Sequence, residues 1–209
     1  MVKLETPPGT WQQHLAELFA CRRCDSVEGA PVSGPVWGAR IMLVGQAPGP
    51  RERDSGRPFA HTAGKRLFEW FASLGVTEEQ FREKVHIAAV ARCFPGRAPA
   101  GGDRPPSKLE IANCGPHLAR ELRLLEPELV IAVGGMAAKE LAGSGELATV
   151  VGPLHRCQRA GAGFDAVVLP HPSGRSTWLN VEGNRAKLGM ALDEIARHQA
   201  FRATFGTGR

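Results

Sequence analysis

The sequence predicts an α/β fold: a three-layer α/β/α sandwich around a central, mainly parallel, four-stranded sheet. Two observations carry this. Short continuous apolar runs recur along the chain, as expected of strands covered on both faces. Between them lie stretches with apolar residues at helical spacing, and strands alternating with helices imply a parallel sheet.

The elements follow in order. Residues 11–20 place Trp11, Leu15, Leu18 and Phe19 at helical spacing, which reads as an amphipathic helix ending in a Cys21-Arg-Arg-Cys24 loop. Residues 40–44 form a short apolar run bounded by Gly45 and Pro48, a buried strand. Residues 63–74, with Leu67, Phe68, Trp70 and Phe71, fit a helix. A second strand is expected at 85–91, a helix at 109–125, a third strand at 129–133, a helix at 136–141 and a fourth strand at 166–169. Residues 95–107, PGRAPAGGDRPPS, are too rich in Pro and Gly for regular structure and read as a surface loop. In such sheets ligands gather outside the carboxyl ends of the strands, where residues 45–59 and 171–180 both fall.

Composition bounds the rest. At 209 residues and 43% hydrophobic content, the chain is expected to form one domain, 1–209, around one core. No run of about 18 apolar residues occurs, and the first residues lack the basic-then-apolar layout of a signal peptide, so the expectation is a cytoplasmic protein without a membrane partner. A net charge of +5 is compatible with a polyanionic partner without demanding one. Nothing calls for more than a monomer.

Five cysteines without a secretion signal argue against a disulfide framework. Cys21-x2-Cys24 has the chelating separation used by zinc and iron–sulfur sites alike, and Cys93 and Cys114 supply two further thiols. Buried thiols acting as small hydrophobes are the competing reading. Cys157 has no obvious partner and is assigned to packing.

Gly45-Gln46-Ala47-Pro48-Gly49, then Glu52, Gly56-Arg57-Pro58-Phe59 and Ala63-Gly64, resembles the first motif of the iron–sulfur uracil-DNA glycosylases of families 4 and 5. His171-Pro172-Ser173 resembles their second motif, and the four cysteines correspond in order to their cluster ligands. The likeness runs from residue 21 to about 195. It implies a 4Fe–4S cluster on Cys21, Cys24, Cys93 and Cys114, and a DNA glycosylase that flips uracil out of DNA and hydrolyses its N-glycosidic bond. By the same resemblance Phe59 stacks on the extruded base, His171 donates to the base oxygen, and the backbone of Gln46 and Ala47 binds the base or holds water. Ser173, Gly174, Arg175 and Ser176 then read as a wedge and phosphate clamp on the DNA.

Three departures mark a divergent member. Gln46 stands where the family has a glutamate, leaving Glu52 or Asp54 as candidates for activating water, with solvated surface as their alternative. Ala89 stands where an asparagine recognises uracil, and His61 where a glycine is usual. The base pocket is accordingly expected to include Gln46, Ala47, Phe59, His61, Ala89 and His171. The partner is DNA containing uracil or another deaminated base. A shifted preference for hypoxanthine or xanthine, a damaged-DNA or abasic-DNA binder with little catalysis, and a zinc-stabilised interaction module are the competing readings.

Overall fold

A computed structural model describes residues 8–174 and 176–206. Helix α1 (Gly9–Phe19) leads through the cysteine loop to strand β1 (Ile41–Gly45), then α2 (Pro50–Ser55), α3 (Thr62–Ala72), α4 (Glu78–Lys84) and β2 (Val85–Ala89). After the Pro/Gly-rich loop come α5 (Lys108–Leu125), β3 (Leu129–Val133), α6 (Gly135–Ala142), α7 (Leu147–Val150), β4 (Leu154–Arg159) and β5 (Ala162–Leu169). A 3₁₀ turn (Trp178–Asn180) precedes α8 (Asn184–Arg197) and α9 (Gln199–Phe205).

The strands are ordered β2-β1-β3-β5-β4. The first four run parallel, with Ile41 beside both Val85 and Leu129, and Val130 beside Ala166. All residues of β1, β2 and β3 are buried, which is why these strands read as unbroken apolar runs. Side chains alternate between the two faces. His86 points to one face, where it meets Glu121 of α5 and the ring of Trp11 from α1. Asp165 points to the other and pairs with His198 at the start of α9.

The sheet has five strands, not four. The missed strand, β4, pairs antiparallel with β5 at the sheet edge. Its sequence, LHRCQR, is only partly buried and carries no apolar run. An edge strand half-open to water needs no such run, so the signal that found the others is absent. The β4–β5 hairpin also starts β5 earlier than residue 166. Ala160 and Gly161 both have positive φ, 54° and 85°, as a two-residue type I′ turn requires. The run expected as strand to residue 91 is paired in the sheet only to Ala89. Beyond it, Val90 and Ala91 still donate to the carbonyls of Gly45 and Gln46.

Chain order places β2 on one side of β1 and β3 on the other. A crevice opens at such a switch, outside the carboxyl ends of the strands. No described helix is long and apolar enough to cross a membrane.

Candidate functional site

A cleft of about 720 Å³ occupies that crevice, within the range of small-molecule sites. Gly45 ends β1 and Gln46 follows it, Ala89 ends β2, and His171 follows β5. All of them line the cleft together with Ala47, Phe59, His61 and Glu52, so two loops about 120 residues apart in sequence meet there.

The aromatic wall depends on two glycines. A Cβ on Gly45 would lie 2.9 Å from the Phe59 ring, and one on Gly64 would lie 1.7 Å from the Phe59 carbonyl oxygen. Only residues without side chains admit this approach. Phe59 itself has φ of 53°, unfavourable for a residue with a Cβ and characteristic of functional loops.

His171 is partly buried, and burial holds its imidazole below its ordinary pKa. Its Nδ1 accepts the Ser173 backbone N–H at 3.2 Å. A neutral ring with Nδ1 as acceptor carries its proton on Nε2, leaving that N–H for a ligand. Gly134, with φ of 87°, packs against the ring, where a Cβ would sit 3.4 Å from His171.

The remaining candidates divide. Glu52 lines the cleft, but its Oε2 accepts the Gly49 N–H at 3.0 Å and caps α2. The span 45–59, read as loop, thus contains a short helix begun by Pro50 and ended by Gly56 in the left-handed region. Asp54 lies outside the lining, exposed and paired with Arg53. His61 is exposed at the start of α3, its Nδ1 3.1 Å from the Thr62 hydroxyl. Ser173 lines the cleft, whereas Gly174 and Ser176 stand outside it. Arg175 lies outside the described residues. The 95–107 loop contributes Arg97, Asp103 and Arg104 to the cleft wall, a contribution its composition gave no means of placing.

A second, separate cavity of about 90 Å³ is lined by Cys21, Cys24, Cys93 and Cys114. That is several times the roughly 10–15 Å³ one water needs. None of the five cysteines is disulfide-bonded. Asn113 Nδ2 approaches Cys24 Sγ at 3.5 Å, and the Arg92 backbone N–H donates to Cys114 Sγ at 3.3 Å. Burial, and then the charge of the other three thiols, pushes Cys93 up to about 12. Thiolates gathered there call for a cation. Among the described residues no group of three His, Cys, Asp or Glu side chains is arranged to hold a metal ion. Four thiols lining one cavity are nevertheless the donor set that a sulfur-bridged polynuclear group takes. Cys157 lies on β4, away from this cavity.

Behind both cavities is a buried network that sequence reading missed. The Arg92 guanidinium donates to Glu121, to Ser33 Oγ at 3.0 Å and to the Ala89 carbonyl at 2.8 Å. Burial alone would raise the Glu121 carboxyl, yet Arg92 and His86 hold it well below the usual carboxylate range. Arg92 thus touches Ala89 in the cleft and Cys114 in the thiol cavity.

An α/β sheet with a ligand cleft at its switch point and a four-thiol cavity beside it defines the class. Residues 31–193 match the model of the uracil DNA glycosylase superfamily, and the chain belongs to that superfamily. It is 32% identical over 167 residues to the type-4 uracil-DNA glycosylase of Archaeoglobus fulgidus, covering 76% of this chain and 79% of that one. It is 34% identical over 138 residues to the type-4 enzyme of Pyrobaculum aerophilum, 64% and 66% of the two chains. The type-5 uracil-DNA glycosylase of the same organism is 27% identical over 169 residues, 66% and 71%.

Proposed function

We infer that this chain is a DNA glycosylase that excises uracil from DNA and leaves an abasic site. The convergence of Gln46, Ala47, Phe59 and His171 on one cleft carries the reading. A stacked duplex hides the sugar carbon, so the nucleotide must be flipped out at a cost of a few kcal/mol. Stacking on Phe59 offsets part of this, at about 1–3 kcal/mol per base.

In the reaction the N-glycosidic electron pair leaves with the base, and a water oxygen bonds to the sugar carbon. Charge grows on the base oxygen, where a preorganised donor lowers the barrier. The Nε2–H of His171 is that donor. Gln46 orients the water but cannot take its proton. Glu52 is the carboxylate of the motif loop in the cleft lining able to do so or to steady the sugar's positive charge, while the exposure of Asp54 argues against it.

Cys21, Cys24, Cys93 and Cys114 would hold a 4Fe–4S cluster. Its contribution when bound is structural, a cross-link through sulfur. Ser173 at the cleft edge, with Gly174 and Ser176 just outside the lining, faces the DNA backbone in this reading.

Ala89 favours a second reading. A methyl group, 9% exposed, stands at the cleft floor where an amide would pair with uracil, and this supports release of hypoxanthine or xanthine as well.

Free-base release from single-stranded oligonucleotides carrying uracil, hypoxanthine or no lesion tests both, using anaerobically purified protein beside His171→Ala. Uracil release, reduced about a hundredfold in the variant, is expected. Hypoxanthine release without uracil release transfers the assignment to the second reading. Release of neither base, with tight salt-sensitive binding retained, makes the chain a damage-binding protein.

A further inference from the structure

The turn that carries Phe59 is held from behind by a residue outside the cleft. Arg82, on α4, donates through Nη1 to the Pro58 carbonyl at 2.8 Å and through Nη2 to the Phe59 carbonyl at 3.1 Å. Its Nε donates to Glu78 Oε1 at 2.8 Å, one turn earlier on the same helix, and its guanidinium lies 4.6 Å from the centre of the Phe68 ring. Arg57 donates to the same Glu78 oxygen at 3.1 Å. The guanidinium therefore has fixed neighbours on its carboxylate side, on its face and on its carbonyl side.

The carbonyls it engages are those of the left-handed Phe59 and of the residue just before it, and Phe59 is the positive-φ non-glycine residue among the described residues of the cleft wall. Phe59 is left-handed, and its carbonyl oxygen passes over Gly64 so closely that no Cβ would fit. A left-handed phenylalanine does not persist unaided. Relaxation of this peptide to an ordinary conformation would swing the ring away from Gly45.

We propose that Arg82 is a positioning residue for base recognition, forking the Pro58 and Phe59 carbonyls so that the Phe59 ring stays against the floor of the cleft. The proposal rests on the reading of Phe59 as the stacking residue. It requires a planar fork of donors, which lysine cannot supply. Arg82 never touches the base, so its loss removes the preference for an extruded base and leaves contacts to the phosphate backbone in place.

The test is a double-mutant cycle. Arg82→Met keeps the apolar stem over Phe68 and removes the fork; Phe59→Ala removes the ring. Binding of a uracil-containing single strand and of its undamaged counterpart is measured for wild type, both single variants and the double variant, with melting temperatures alongside. Arg82→Met is expected to cut the uracil-to-undamaged binding ratio by about tenfold, a share of the stacking contribution. It should have no further effect in the Phe59→Ala background. Arg82→Lys should resemble Arg82→Met, and it carries the same cycle if the methionine variant does not fold. Losses that multiply in the double variant, or a parallel fall in binding of both strands, would overturn the clamp while leaving Phe59 as a stacking residue. A Phe59→Ala variant with unchanged preference, or a wild type with no preference, would instead overturn the stacking reading and the clamp with it.

Discussion

At the scale of single residues the most informative is His171. Its ring is defined by a backbone N–H on Nδ1 and by partial burial, the cause of its lowered pKa. Above the ordinary imidazole value of about 6.5 the ring is neutral whether the chain is folded or not, and its titration contributes nothing to the pH dependence of stability. Below that value the unfolded chain takes up the proton first. Stability is therefore lost as pH falls toward the folded pKa. Protonating Nδ1 also breaks the bond from Ser173. The acid limb of base release should therefore lie below pH 6.5 and should vanish in His171→Asn, measured as single-turnover rate against pH. A limb centred at or above 6.5 would show that burial does not set this group. The place of His171 at the cleft was legible from His171-Pro172-Ser173, but its tautomer was not, because the Ser173 N–H is oriented only by the folded turn.

At the scale of elements, the β1 loop, α2 and the start of α3 act as one unit. Gly49 hands its N–H to Glu52, Gly56 ends α2, and Gly64 lets the Phe59 carbonyl cross α3. The motif spacing identified these residues without saying what each was for. Glu52 read as chemistry and is at least partly a helix cap. Gly64 read as motif and is a packing requirement. Gly64→Ala introduces a methyl 1.7 Å from a backbone oxygen, which cannot rotate away as a side chain could. Overpacking of this kind costs about 1–3 kcal/mol. The variant should melt several degrees lower and lose preference for uracil-containing strands, measured by thermal unfolding and strand binding. Ala at the neighbouring Lys65, which is exposed, should change neither. The β4 edge strand shows the opposite limit, since its pairing is specified by the Ala160–Gly161 turn and not by any apolar run of its own.

At the scale of the whole molecule, three distant segments meet around the thiol cavity. Glu110, 3% exposed, ties the same segments together through polar contacts. It accepts from Arg104, from the Ser107 N–H at 2.7 Å and from Ser26 Oγ at 2.8 Å. It thereby joins the cysteine loop, the Pro/Gly-rich loop and the start of α5. Arg104 first, with the other donors, lowers its pKa to about 2. A carboxyl depressed this far contributes stability above its unfolded pKa of about 4.3 and loses it as pH falls toward 2, on the order of 3 kcal/mol in all. Glu110→Gln should melt well below wild type at pH 7, with the gap narrowing below about pH 4 and closing only as pH approaches 2. A gap that does not close would mean that shape, not charge, is what Glu110 supplies.

Taken alone, the sequence determined the α/β class, the parallel strands and the membership of the four thiols and two loops in one family pattern. The first two are written in local periodicity, which reports which faces are buried, and the third rests on the resemblance of the motifs to that family. Only the tertiary structure decided that Arg82 forks the Phe59 turn, that Arg92 joins Ala89 to Cys114, and that Glu52 caps a helix while Asp54 faces solvent. The two arginine contacts depend on groups from separate elements meeting at hydrogen-bond distance, which no sequence neighbourhood records; the Glu52 cap is local, three residues from Gly49, but the turn that starts α2 had read as loop.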